Sequence, residues 1–192
     1  MKKKFISKKI NYDGAQLKPL YAYVNHKLHG DSIVAFVGAC DVGFGEMVDA
    51  EDLVAGAQIK SDLMLHFIVE MFNQNLMTAV SLQRLIVSIA QTILNSISPK
   101  LKSTKLRRSG DDLYLDRGSK SHKLSISIAS ISPVSSMIHF ALNITNEGTP
   151  VLTCSLRDLG VEPKEFAERM LTAFSDEYAS IVEATQKVRP LV

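Results

Sequence analysis

Two runs of alternating residues, at 123–131 and 137–145, limit what this chain can fold into more than any other feature. In the first, Leu124, Ile126 and Ile128 fall on one side, while Lys123, Ser125, Ser127 and Ala129 fall on the other. In the second, Ile138, Phe140, Leu142 and Ile144 oppose His139, Ala141 and Asn143. A period of two marks a half-buried strand. Between the runs, 132–136 reads Ser-Pro-Val-Ser-Ser, a turn composition in which Pro133 has no amide to give a ladder. An antiparallel hairpin follows, with an oily face toward a helix layer and a second face of small and polar residues. Such a face is either open to solvent or the floor of a pocket.

The remaining elements are expected to supply that helix layer. The run 78–98 carries Leu82, Leu85, Ile86, Ile89, Ile93, Leu94 and Ile97 at helical spacing and stops at Pro99. Packing is expected through Leu82, Ile86, Ile89 and Ile93. Pro163 opens a second helix to about Thr185, with Phe166, Met170, Phe174, Tyr178 and Val182 inward. Ser61 offers a cap for a third, from Asp62 to about Asn73, with Met64, Phe67, Ile68, Met71 and Phe72 as its buried stripe. On that helix Asp62, His66 and Glu70 would share the outer face. Their spacing matches no metal motif, and no metal is expected there. Strands are expected at 5–10, 32–38 and 112–116; a turn is read at 11–14, and 21–28 fits either a helical turn or an edge strand. The glycine-rich 38–45 lacks both the phosphate-loop ending and the dinucleotide spacing, so a plain loop is expected. The class is α+β, a mainly antiparallel sheet with helices packed on one face, in a single domain over 1–192.

Of the 192 residues, 46% are hydrophobic and 22% charged, enough to bury a core without disulfides or metals. Cys40 and Cys154 are expected to be free thiols. No signal-peptide core follows the basic start, and no run approaches a membrane span, so the cytoplasm is the default location. A net charge of +2 declares no nucleic-acid partner, but Lys100, Lys102, Lys105, Arg107 and Arg108 form a clump that could meet an anion.

At Arg108-Ser-Gly-Asp-Asp-Leu-Tyr-Leu-Asp116, a short turn and Lys123-Leu-Ser-Ile-Ser127, the chain resembles the lipoate and biotin protein ligase superfamily. There a strand turns back through a lysine that contacts the activated acyl group. The segment Ile138-His-Phe-Ala-Leu-Asn-Ile144 resembles the strand that follows in the octanoyltransferase branch, where a Pro-Cys-Gly carries the thiol; Thr153-Cys154-Ser155 stands at a similar separation here. Over nearly its full length the chain is also similar to an uncharacterised microbial family, domain of unknown function 366. The Arg- and Gly-rich adenylate loop of the ligases has no counterpart between Cys40 and Asp62.

The resemblance implies a ligase-like fold and an acyl-group transferase or ligase acting on a lipoyl, octanoyl or biotinyl-like group, with a small acyl substrate or a carrier protein as partner. Cys154 would be the nucleophile and Lys123 the cation that favours its thiolate or steadies an oxyanion. His139, Asn143, Ser125, Ser127, Arg108 and Asp112 would bind substrate. No cofactor is named by the sequence. Against this stand a buried, inert Cys154 and an exposed Lys123. The alternative is a non-catalytic module of the same fold, recognising nucleic acid or an acidic carrier surface through the basic clump. A homo-oligomer with the polar hairpin face at its interface is a third expectation.

Overall fold

The computed structural model describes residues 1–191. β1 (Lys2–Ile6) is followed by a short helix α1 (Tyr21–His26) and β2 (Ser32–Val42). A 3-10 turn at Phe44–Glu46 and α2 (Ala50–Ala55) lead into β3 (Ile59–Phe72), then the long helix α3 (Leu76–Ile97). β4 (Arg107–Ser109), β5 (Asp112–Arg117) and β6 (Lys120–Lys123) form a small antiparallel sheet. The hairpin β7 (Ser125–Ile131) and β8 (Ser135–Asn143), the turn helix α4 (Leu156–Leu159) and α5 (Pro163–Gln186) complete the chain. The main sheet runs β1-β2-β3-β8-β7; β1 pairs with β2 in parallel and the other described strand pairs are antiparallel. The α+β class is as expected.

The segment 62–73 is not a helix but most of β3, the middle strand of the main sheet. Strand neighbours on both sides and cover on both faces make its sequence almost continuously apolar, which removes the alternation that marks a half-covered strand. What remained was a spacing of four at Asp62, His66 and Glu70, which an α-helix and a strand both place on one face. Ser61, expected as a cap, lies buried within the strand.

The two long helices form as expected. Asn75 caps α3 by accepting from the Thr78 amide at 2.8 Å, and Glu162 accepts from the Glu165 amide at 2.6 Å ahead of Pro163. Both cover the sheet face carrying Ile33, Val69, Ile138, Phe140 and Leu142. The buried stripe of α3 runs Leu82, Ile86, Val87, Ala90 and Leu94, whereas Ile89 and Ile93 are only half-buried at its edge. Truncating the fully buried side chain, Ile86→Ala, should therefore cost about 2–5 kcal/mol, and Ile89→Ala clearly less; equal denaturation midpoints for the two variants would contradict the stripe. By length and hydropathy α3 is apolar enough to cross a membrane, against the expectation that no run comes near one; its apolar side here lies against the sheet and α5.

Candidate functional site

The opposite face of the main sheet holds the site. β3 and β8 present Met64, His66, Asn143, Ala141 and His139 to it, and β2 adds Phe36 and Val34. The 10–12 segment runs along β2, with the Ile10 amide donating to Val37 and the Tyr12 amide to Ala39. Gly38 permits that approach, because a Cβ there would run into the Ile10 carbonyl. The consequence is that Tyr12 lies flat on His139, ring centroids 3.7 Å apart and planes 12° from parallel.

The two histidines are buried and linked. His66 Nε2 lies 3.2 Å from the Gly38 carbonyl, and its Nδ1 lies 3.1 Å from His139 Nε2. A carbonyl only accepts, so His66 donates through Nε2 and, being neutral, accepts through Nδ1. His139 must then donate through Nε2, which leaves its Nδ1 as a lone pair. Burial pushes His66 down to about 4, and burial with the neighbouring His66 holds His139 well below its ordinary value. Burial likewise raises the Tyr12 phenol, with the negative groups around it adding to the effect.

A cavity of about 440 Å³ opens above this floor. Its walls include Tyr12, Met64, His139 and Asn143 from the floor, Asp112 and Lys123 from the small sheet, and Glu46, Asp49 and Asp52 from the β2–β3 connection. The Lys123 ammonium lies 2.8 Å from Asp112 Oδ2, the lysine side chain about one third exposed at 31%. Burial pulls the lysine down, but the Asp112 carboxylate more than offsets it, so Lys123 is held above its usual value and charged. Burial pushes the Asp112 carboxyl up while the same ammonium draws it back.

Of the expected site residues, Lys123, Asp112, His139 and Asn143 meet in this cavity. Asn143 holds its edge in shape by donating at 3.3 Å to the carbonyls of both Lys123 and Cys154. Ser125 and Ser127 border the cavity, but their side chains do not share the face of His139. The register pairs Ser125 with Leu142 and Ser127 with Phe140, on the helix side, and Ile128 with His139. The alternation breaks at Leu124, where the chain leaves the small sheet for the main one. The Ser125 hydroxyl accepts from the Leu113 amide, and that of Ser127 is held by Gln83 and Asp111. Arg108 is exposed and folded back on the Gly110 carbonyl at 2.6 Å. In the basic clump, Arg107 is bound by Asp116 through two hydrogen bonds.

Cys154 does not join Lys123 in the cavity. Their backbones touch, the Cys154 amide donating to the Lys123 carbonyl at 3.1 Å, but the thiol is fully buried in the main core and contacts the His122 carbonyl. Burial raises it to about 12. Alkylation by iodoacetamide near pH 8 should then be on the order of a thousandfold slower than for a free thiol, until denaturant exposes it; fast labelling of Cys154 in the native state would reverse this. Cys40, also buried, is likewise raised to about 12.

The sequence reading missed Tyr12 and the role of His66. A tyrosine beside a turn carries no pattern of its own, and only the approach to Gly38 brings it over the sheet.

Residues 1–189 match DUF366, a domain of unknown function. The chain belongs to this family. An uncharacterised protein of Methanocaldococcus jannaschii is 32% identical over 98% of the chain and 84% of its own length. A solved protein of unknown function from Pyrococcus horikoshi is 38% identical, covers all of the chain and 99% of its own, and superposes with a TM-score of 0.91. The ligase-like fold is shared with more distant structures. Biotin protein ligase from Aquifex aeolicus is 12% identical over 95% of this chain and 72% of that one, at a TM-score of 0.59. The bipartite lipoate protein ligase of Thermoplasma acidophilum is 11% identical over 91% and 82%, at 0.54.

Proposed function

We propose that this DUF366 protein binds a small carboxylic acid, or its activated acyl form, in the Tyr12–Lys123–His139 cavity, as a transferase or ligase-like member of that fold. The observation that carries the reading is the charged Lys123, ion-paired to Asp112 and only one third exposed at 31%, at the wall of an otherwise partly apolar cavity. A partly desolvated ammonium is a strong partner for a carboxylate, and for the oxygen of an acyl carbonyl as it gains charge. Biotin and lipoic acid, with which structures of this fold have been solved, are acids of that kind.

Cys154 takes no part in this scheme, since no thiol is among the described residues that line the cavity. An acyl group would pass directly from its donor to an acceptor. The acidic β2–β3 connection along the cavity wall, with Glu46, Asp49, Glu51 and Asp52, argues against an acidic carrier surface and against a triphosphate.

Thermal unfolding with octanoate, lipoate or biotin tests the reading. A ligand at about a hundredfold over its Kd adds about 2.7 kcal/mol, which is roughly 5–10 °C for a domain of this size. At least one of the three acids should raise Tm in the native protein and fail to do so in Lys123→Met. The reading is wrong if none shifts Tm, or if the shift survives in that variant.

A further inference from the structure

The walls of the cavity carry an imbalance that a plain fatty acid would leave unanswered. Lys123 is engaged by Asp112, Lys60 by Asp41 at 3.2 Å, and Asp111 already receives Arg84. Glu46, Asp49, Glu51 and Asp52, all lining the cavity, have no ion-pair partner among the described residues. Asp49 caps α2 through the Glu51 and Asp52 amides, which fixes the connection that carries these groups. Glu46 is pressed against the 11–14 turn, where a Cβ on Gly14 would meet its own Cβ at 2.6 Å; this puts it on the Tyr12 side of the cavity, where its charge adds to the rise of the Tyr12 phenol.

The second, independent observation is His139 itself. It is 2% exposed, lines the cavity, and is required by its bond to His66 to present Nδ1 as a lone pair. No donor among the described residues meets that nitrogen. The nitrogen is not among the fully enclosed polar atoms that lack a partner, so it is reached from the cavity, and a ligand that supplies a donor there gains a directed hydrogen bond at a largely desolvated site. Metal ligation is a poor answer, because no three His, Cys, Asp or Glu groups converge among the described residues.

We infer that the ligand is an amino acid in the broad sense: its carboxylate meets Lys123, and a protonated nitrogen further along it is received by His139 Nδ1 and the Glu46 side of the cavity. This rests on the carboxylate reading above and adds the substrate class. It gives the acidic connection a role, since a cationic nitrogen is attracted by Glu46 and Asp52 where a phosphate would be repelled.

A matched pair of probes separates the two claims. Heptanoate and 6-aminohexanoate have the same length and nearly the same shape, and differ by a terminal methyl against an ammonium. Calorimetric titration of the full chain should show 6-aminohexanoate binding about tenfold tighter, the scale of one charge-assisted hydrogen bond. Lys123→Met should weaken both acids alike. His139→Phe, which keeps a flat ring under Tyr12, should bring the two affinities together. Glu46→Gln, an exposed change with little bearing on folding, should narrow the gap and checks the claim should the histidine variant fold poorly. If heptanoate binds as tightly as its amino partner while both depend on Lys123, the amino-acid assignment is overturned and the carboxylate reading stands. A preference untouched by both His139→Phe and Glu46→Gln also overturns it. If neither acid binds, both claims fall.

Discussion

Phe67→Ala should remove about 3–5 kcal/mol of stability, which for a domain of this size is a fall in Tm of roughly 6–20 °C. Phe67 is fully buried at the centre of β3, opposite Ala35 on one neighbour and Phe140 on the other. Its ring lies 6.0 Å from that of Phe140 and meets Phe166 of α5 edge-on at 6.4 Å and 88°. One side chain thus ties the middle strand to the next strand and to the helix layer. Deleting it opens a cavity bounded by strand backbone and by two aromatic rings, none of which can collapse far inward. Leu65→Ala distinguishes the strand from the helix that the sequence suggests, since Leu65 lies off the helical stripe yet is fully buried here. It should cost about 2–5 kcal/mol, whereas Phe44→Ala, at an exposed position, should stay within about 0.5 kcal/mol. Chemical denaturation midpoints decide it. A harmless Leu65→Ala would return 62–73 to a helix.

The same segment shows what a sequence can reveal. β8 was legible because it is covered unequally: Ile138, Phe140 and Leu142 meet helices, and His139 and Asn143 meet a cavity, so composition alternates with the pleat. β3, one strand over, has Leu65, Phe67 and Val69 in one core and Met64 and Ile68 in the other, and the alternation vanishes. β7 misled for a different reason. Its pattern was sound, but the switch between sheets at Leu124 turned Ser125 and Ser127 toward the helices, where Gln83 and Asp111 satisfy Ser127. Polarity therefore named the wrong face.

At the site, the ligase resemblance puts forward Lys123 and Asp112, and the polar side of β8 puts forward His139 and Asn143; all four line one cavity. Cys154 is put forward by its likeness to the thiol of the octanoyltransferase branch. Backbone adjacency is real there, but a side chain's direction is set by which core it fills, and spacing cannot supply that. Tyr12 and His66 depend on contacts between segments far apart in sequence. The tautomer that leaves His139 its lone pair follows only from the Gly38 carbonyl across the sheet.

That histidine pair also fixes how the fold responds to acid. In the folded state burial holds His66 down to about 4, and burial together with the neighbouring His66 holds His139 well below its ordinary value. In the unfolded chain both titrate near 6.5. Between about 6.5 and 4 the unfolded state therefore binds more protons than the folded one, so acidification favours unfolding. Each histidine contributes a slope of up to about 1.4 kcal/mol per pH unit, and His66 alone about 3 kcal/mol across the window. The loss levels off once the folded His66 protonates too. Against a typical stability of about 5–15 kcal/mol this is a large fraction. The carboxylates act lower: exposed Asp116, held at about 2 by Arg107 and Ser121, gives up its contribution only below about 3.9. Tyr12 and Cys40, both raised, stay neutral throughout. Urea midpoints at several pH values should thus fall steeply from neutral toward pH about 4.5, ahead of the ordinary carboxylate range. In the double variant His66→Phe, His139→Phe the absolute stability will differ, but the slope in that window should fall to the part left by His26, which burial and Lys4 also hold below its ordinary value. An unchanged slope would mean that the pair is not buried in its neutral form, and the lone pair offered to the cavity by His139 would lose its basis.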